Sequence, residues 1–507
     1  MDAKRIAFAA GLGCIVLLVA ARDVWGEEPR VVDQLLDILR KNKQITEQQY
    51  RDLKQKAEEE RQQDLRKAAG APPSPSPSPA ALAAAPPAAA PTPMPDSLRA
   101  YFKNGFVFET ADGNYRIAPI VLTQLDWNVS VPDTALKQAF KLQGTSTGVQ
   151  FRRARLGFQG IVFGNIDYKF EYDFAEATGG QPSFKDVYMG MSQIPFVQYV
   201  RVGHFKEPFS LEELTPDTYT TFMERASNNA FANPGSNIVA SGTDRNTGFA
   251  IYQTYFDQHL TGAAGGFRLT NNFGNGFGTD SPYDVTARVT GLPMYDLGKS
   301  LVHLGFSYSH KFRHYAMDSQ ETISFSSRAE DNQFPVNLVN TGQIPTNGAD
   351  LIDPELAFVA GPFSAQGEYT WAFIDQSSLM CTSATACTRV NHSHPVFDGG
   401  YVEAAYFLTG ESRASFYRTQ FGHFERVIPA HSFTIDGKNW GAWQVAARFS
   451  HLNLDSASIN GGALDDITGG VNWYLNSVTR VTVNYVWAHR ESIGDSNSIE
   501  GRFQLAF

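Results

Sequence analysis

The sequence predicts an all-β protein: a transmembrane antiparallel β-barrel of about 16 strands, preceded by a short α-helical module and a Pro/Ala-rich linker. Three observations carry that prediction. The stretch Phe151 to Phe174 alternates strictly. Ile166, Tyr168, Phe170, Tyr172 and Phe174 fall on one side and Asp167, Lys169, Glu171 and Asp173 on the other, a period of two that belongs to strands. After residue 100 no apolar run approaches the about 20 residues of a transmembrane helix, so any membrane span there has to be β. Finally, the chain ends on an aromatic strand, with Phe503, Leu505 and Phe507 facing one way and Arg502 and Gln504 the other.

In the first half of the opening hairpin, Ala154, Leu156 and Phe158 share a face while Arg153, Arg155 and Gln159 share the opposite one. Phe163-Gly164-Asn165 supplies a turn with φ > 0. A soluble half-buried sheet gives the same alternation. A dense row of charges, however, suits a wet lumen, and aromatics at nearly every outward position suit lipid. Residues 98–507, at about 25 residues per strand and connection, give about 16 strands, a size that leaves an aqueous channel.

Taken in order, residues 1–26 carry Lys4 and Arg5, the apolar run Ile6 to Ala21 and then Val24-Trp25-Gly26, the make-up of a secretory signal peptide. Residues 27–70 turn helical. Val32, Leu35, Leu36 and Leu39 form one stripe; a second helix opens with the capping box Thr46 and Gln49 and the hydrophobic staple Ile45 and Tyr50. This segment is expected to be a periplasmic helical module, either a coiled coil for docking or a solvated hairpin packed on itself. Residues 71–95 are a Pro/Ala-rich linker, held extended by its proline density. Residues 96–507 form the outer-membrane barrel. Cys381 and Cys387 lie close together in a Ser/Thr/Ala-rich loop, where a small disulfide and a pair of unlinked thiols are the two readings.

Parity assigns further faces. Ala263, Gly265, Phe267 and Leu269 are expected outward, leaving Arg268 inward; Val285, Ala287 and Val289 likewise leave Arg288 inward. Arg201, Arg448, Arg480 and Arg502 also fall on the inward parity. The segment Phe205 to Ile238 breaks the alternation, with a helix-like start at Ser210 and interruptions at Pro208 and Pro216. It is too long for a turn, and long loops are commonly functional.

The stretches FRRARLGFQG, NIDYKFEYDF, RVGHFKEPFSLEEL, TFMERASNNAF, GGYVEAAYFLTGESR, GAWQVAARFSHLNL and NWYLNSVTRVTVNYVWA, in that order, resemble the phosphate-selective porin O and P family. The resemblance implies a trimeric 16-stranded outer-membrane porin with inward-folded loops, whose known members conduct phosphate or pyrophosphate along rows of Arg and Lys. It makes Arg152 and Arg153 constriction candidates, and the segment after Phe205 a constriction loop with Lys206, Glu224 and Arg225 as pore-facing charges. Strict parity instead turns Arg152 outward; a β-bulge there would reconcile the two. The terminal aromatic strand looks like the signal that outer-membrane barrels present to their assembly machinery.

Arginine suits an anion path because guanidinium groups replace lost hydration with charge-assisted, often bidentate hydrogen bonds. Arg152, Arg153, Arg155, Lys169, Arg201, Lys206, Arg225, Arg268, Arg288, Arg448, Arg480 and Arg502 are therefore the candidate pore-lining and anion-binding residues. The competing reading pairs these cations with Asp167, Glu171, Asp173 and Glu403, which would leave only a transverse field. Charge bookkeeping keeps both open. Setting aside the 13 Lys+Arg and 12 Asp+Glu of residues 1–67 from totals of 42 and 52 leaves 29 basic and 40 acidic groups, a net charge of −11. The expected function is passive diffusion of small anions, phosphate or polyphosphate, across the bacterial outer membrane. The alternatives are a weakly selective general diffusion porin or an envelope-tethering barrel. No nucleophile motif points to an enzyme, the His392-Ser-His394 pair is a weak metal signal, and no cofactor, metal or nucleic-acid partner is expected. The expected partners are small anions, outer-membrane lipid, the barrel-assembly machinery and two further copies in a homotrimer.

Overall fold

The computed structural model describes residues 97–175, 182–232, 234, 245–276, 282–296, 298–313, 321–383 and 386–507, apart from the side chains of residues 379 and 381–389. The signal, helical module and linker lie outside the described residues, as do the side chains of Cys381 and Cys387.

Sixteen antiparallel strands close on themselves. In chain order they are β1 (Arg116–Pro132), β2 (Ser146–Val162), β3 (Ile166–Asp173), β4 (Ser183–Ile194), β5 (Val197–Phe205), β6 (Asn246–Tyr255), β7 (Leu260–Arg268) and β8 (Tyr283–Asp296). Next come β9 (Ser300–Phe312), β10 (Ile344–Ala360), β11 (Phe363–Ser383), β12 (Val396–Phe407), β13 (Ala442–Ser456), β14 (Ile459–Tyr474), β15 (Thr479–Arg490) and β16 (Gly494–Ala506). Each pairs with its chain neighbours, and β16 closes on β1 from Ser496 opposite Pro132 to Ala506 opposite Leu122. Closure leaves no unpaired edge, which is what lets strands cross hydrocarbon. Beyond it, the backbone of Phe507 exchanges both hydrogen bonds with Val121. The chain's last residue thus completes the seam.

Alternation dictates the two faces. Leu156, Phe158, Val289, Leu304, Phe306, Phe449, Val483 and Phe503 are all exposed on the outer wall, and Arg153, Arg155, Arg288, Lys311, Arg448, Arg480 and Arg502 are all buried inside. The predicted tight turn is present, with φ of 54° at Phe163 and 72° at Gly164. So is the bulge. Gln124 pairs with Arg153 but Leu125 pairs with Phe151, so Arg152 is the extra residue and turns to the lumen beside Arg153.

One strand runs opposite to its predicted parity. On β7, Phe267 is 2% exposed and packs inward against Phe205, Tyr199, Tyr252 and Phe421. Arg268, paired with Thr247 and with the outward Tyr283, lies on the outer wall and is not a pore-lining residue. The cause is that β7 carries apolar residues on both faces, because the lumen beside it is filled by protein instead of water. A one-residue error in register flips every side chain.

The filling comes from three long connections. At one rim the links are short (163–165, 195–196, 256–259, 361–362, 475–478), except for 408–441; the other rim carries the long links 206–245 and 313–343. The described parts of all three fold inward. Phe209 and Phe231 from the first and Ile323, Phe325, Phe334 and Leu338 from the second share one buried cluster with wall residues Phe397, Leu452 and Leu464. From the third, Tyr417 and Phe424 pack with Leu301, Ala357 and Val359.

Candidate functional site: the lumen and its arginines

The segment 206–245 begins with a short helix, α1 (Leu211–Leu214), whose Ser210 hydroxyl accepts from the Glu213 N–H. The wall then holds it. The Glu368 carboxylate accepts from the backbone N–H groups of Leu211 (2.9 Å) and Glu212 (2.8 Å), a carboxylate seated on a helix N-terminus. Thr221 donates to Glu403, and Asn472 donates to the Thr221 carbonyl.

Several predicted lumen arginines grip this loop. Arg448 donates to Glu212 (3.0 Å) and to the Glu224 carbonyl (2.9 Å). Arg480 donates to the Thr220 carbonyl, and Arg502 to the Met223 carbonyl. Arg502 also forks onto Asp126 at 2.7 and 2.6 Å and reaches Glu224 at 2.9 Å. Arg152 forks onto the same Glu224 at 3.0 Å twice, so two guanidinium groups share one loop carboxylate.

Asp217 is the hub of the loop. It lies 3.0 Å from Arg153 and from Arg155, 2.5 Å from Arg225 and 3.8 Å from Lys206. Arg155 also contacts Asp173 at 2.8 Å and Glu171 at 3.2 Å. Lys169 bridges Glu171 and Asp186, at 2.8 and 2.7 Å. Burial raises the Asp217 pKa, but Arg153, Arg225, Lys206 and Arg155 outweigh it and hold the carboxyl well below the usual range. Burial likewise opposes ionisation of Glu224, and Arg152 and Arg502 overcome it and lower its pKa. Glu212 goes the other way. Burial, with repulsion from Glu403 and Glu368, outweighs Arg448 and pushes it up to about 8.

On the opposite side Arg288 forks onto Glu355 at 2.8 and 2.6 Å and donates to the carbonyls of Phe421 and Gly422. Asp353, Glu355 and Glu368 bring their carboxylates within 4.8 Å of one another. Both Glu368 oxygens already accept backbone hydrogen bonds and Glu355 is forked by Arg288, so the cluster is built as an anchor for the loop.

Besides Arg328 and Arg490, which donate to the backbone carbonyls of Asn332 and Leu338, three arginines inside the barrel stand apart. Arg201, Arg426 and Arg480 form no ion pair with a carboxylate among the described residues. The Arg201 guanidinium is surrounded by aromatic rings, 4.1 Å from Tyr188 and 4.9 Å from Phe421. Arg480 is 2% exposed with Nε and Nη2 unpartnered, and it shares a small cavity at the short-turn rim with Arg426, Tyr219, Tyr474 and Asn476. Arg426 donates to Tyr219, Ser477 and Ala506.

Of the predicted residues, the structure brings Arg152, Arg153, Arg155, Lys169, Lys206 and Arg225 into one cluster, sets Arg448, Arg480 and Arg502 against the same loop, and places Arg288 and Arg201 on other parts of the lumen wall, where sequence reasoning had only an inward row. It missed Asp126, Asp217, Glu368 and Arg426. A signal for Arg426 existed: residues 408–441 stay irregular where strand parity calls for a short turn.

A closed 16-stranded barrel whose long connections fold inward around a charged passage is the architecture of a porin. The family model described as phosphate-selective porin O and P matches residues 124–507, and the chain belongs to that family of outer-membrane channels. Porin O of Pseudomonas aeruginosa is 23% identical over 379 residues, covering 70% of this chain and 79% of that protein. An uncharacterized protein of Caulobacter vibrioides is 26% identical over 345 residues, 68% of this chain, which spans 63% of that relative's length. Solved structures with a similar fold include an anion-selective porin from Comamonas acidovorans (10% identity, TM-score 0.45, covering 78% of this chain and 100% of that one). Another is OprB of Pseudomonas putida (8% identity, TM-score 0.47, 78% and 95%).

Proposed function

We propose that the channel passes small anions of the phosphate or polyphosphate class by diffusion, with a weak preference set by its unpaired arginines and not by a continuous cationic row. The observation that carries this reading is the contrast among the lumen cations. Arg152, Arg153, Arg155 and Arg502 are each neutralised by Asp126, Asp173, Asp217 or Glu224 within 3.0 Å. Arg201, Arg426 and Arg480 have no such counter-charge among the described residues, and Arg426 and Arg480 line one cavity at the short-turn rim. Fields from paired charges cancel at short range, whereas a narrow lumen screens an unpaired guanidinium little. Several weak sites let an anion bind and still leave.

The short-turn rim faces the periplasm, as short turns do in such barrels, and residues 27–70 are a periplasmic module. The outward terminal strand ending at Phe507 presents the assembly signal, and the unit is a homotrimer. The extensive pairing favours a second reading, a general diffusion pore with little selectivity. Inhibition of single-channel chloride current by added phosphate decides between them. Under the anion reading the double change Arg480→Gln and Arg426→Gln abolishes that inhibition; a channel that phosphate never inhibits is the general pore.

A further inference from the structure

The second long connection, 313–343, meets the inner wall through two adjacent buried acids, Glu330 and Asp331. Glu330 accepts from Ser450 at 2.6 Å, from Thr468 at 2.5 Å and from Arg448 at 2.5 and 3.0 Å. Its seat adjoins a further acid: Asp466 lies directly across the β13–β14 ladder from Ser450 and two residues before Thr468 on the same inward face. Asp331 is seated in the same way on β1. It accepts from Asn128 at 3.0 and 3.1 Å, from Ser130 and from the Gln333 N–H, and Asn128 is the cross-strand partner of Glu500 on β16. The Asp331 and Glu500 carboxyls lie within hydrogen-bonding reach of each other.

Neither wall acid has the donors that a buried carboxylate needs. Asp466 is 0% and Glu500 2% exposed, and among the described residues both Asp466 oxygens and Glu500 Oε2 have no hydrogen-bond partner. The charges that face Asp466 are Glu330, Arg448 and Asp465, and Arg448 is already shared by Glu330 and Glu212. Those that face Glu500 are Asp331, Glu224 and Arg502, and Arg502 already forks onto Asp126. Arg328 faces Asp331 from the connection itself. A buried carboxylate with no donor is costly. Two carboxyls that share a site do not both ionise, so one keeps a proton and donates it to the other. That proton turns repulsion into a hydrogen bond. We propose that segment 330–333 is held in the lumen by two shared protons, one between Asp466 and Glu330 and one between Glu500 and Asp331, so that raising the pH removes both, releases the segment from the wall and widens the passage. Because consecutive residues reach the two seats, the seats release together. The device acts on the width of the pore and is independent of which ion the pore prefers.

Single-channel conductance of the purified protein, recorded in symmetric potassium chloride from about pH 5 to about pH 9, tests this directly. The conductance of the unmodified channel should rise with pH. Asp466→Asn with Glu500→Gln keeps a donor at each wall position, so the rise should be lost and the channel should stay at its low-pH level throughout. Glu330→Gln with Asp331→Asn removes the repulsion from the loop side and should do the same, which keeps the proposal open to refutation if the other pair of changes prevents folding. Heat-modifiable mobility on gels identifies the closed barrels. The rise should survive Glu212→Gln, which silences the titration of the first loop. A conductance that does not change with pH overturns the proposal. So does a rise that persists in either folded double variant, or one that Glu212→Gln alone abolishes.

Discussion

At the level of the inward loop the lumen is crowded with charge, yet nearly every cation is matched: Arg502 with Asp126, Arg152 with Glu224, and Arg153 and Arg155 with Asp217. Toward the short-turn rim the charges are few, but Arg426 and Arg480 share a cavity with no carboxylate in its lining. The crowded level is where a row of arginines suggests selectivity, and the sparse level is where an anion would meet an uncompensated guanidinium. The difference teaches that an ion's field depends on the nearest counter-charge. At the loop, arginine works mainly as a clamp.

The sharpest way to break this comparison is to unpair the clamp. Asp217→Asn strips the shared partner from Arg153, Arg155, Arg225 and Lys206. Breaking a buried pair costs about 3–5 kcal/mol, because a buried charge is left uncompensated. The barrel should lose its heat-modifiable form at a much lower temperature, or survive with a clear gain in anion preference; a variant unchanged in both would show that the pairing carries no weight. A gentler change removes a matched pair together. Arg502→Gln with Asp126→Asn should leave ion selectivity within error of the parent in bilayer recordings, even though an arginine of the supposed row is gone.

Acidity probes the loop's seat. The Glu212 pKa is pushed from 4.5 up to about 8, so the folded loop binds the protonated form more tightly. For a raised carboxyl the stabilisation is complete below the unfolded pKa and is lost as pH rises towards the folded value. Current noise should therefore grow between about pH 4.5 and 8 and then level off, and Glu212→Gln should flatten the profile. The smallest effect belongs to Arg268→Gln. An outer-wall residue should leave the reversal potential where it was, whereas a shift would restore Arg268 to the pore.

Much of the barrel was legible because its alternation is strict wherever one face meets lipid and the other water. The β2–β3 hairpin, the terminal strand and the inward arginines followed from that rule. Arg152 needed one more piece of information, since a bulge leaves no mark on parity, and the resemblance to arginine-bearing family strands supplied the tension that a bulge resolves. β7 failed for a physical reason: Phe267 packs on Phe205 and Phe421, and an apolar lumen erases the contrast that parity depends on. The clamp was illegible for another. Asp217, Glu224 and Glu330 reach their arginines from loops distant in sequence, where neither periodicity nor spacing records the contact. What could be read was that the arginines face inward, but not what they hold.

The central claim is that an anion preference survives the pairing and resides in the unpaired arginines. The reversal potential of the purified protein in a planar bilayer under a potassium chloride gradient tests it most directly. A modest potential of the sign set by chloride, moved towards zero when Arg426 and Arg480 are both replaced by glutamine, is the predicted result. A cation-selective channel, or an anion preference untouched by that double change, would contradict it.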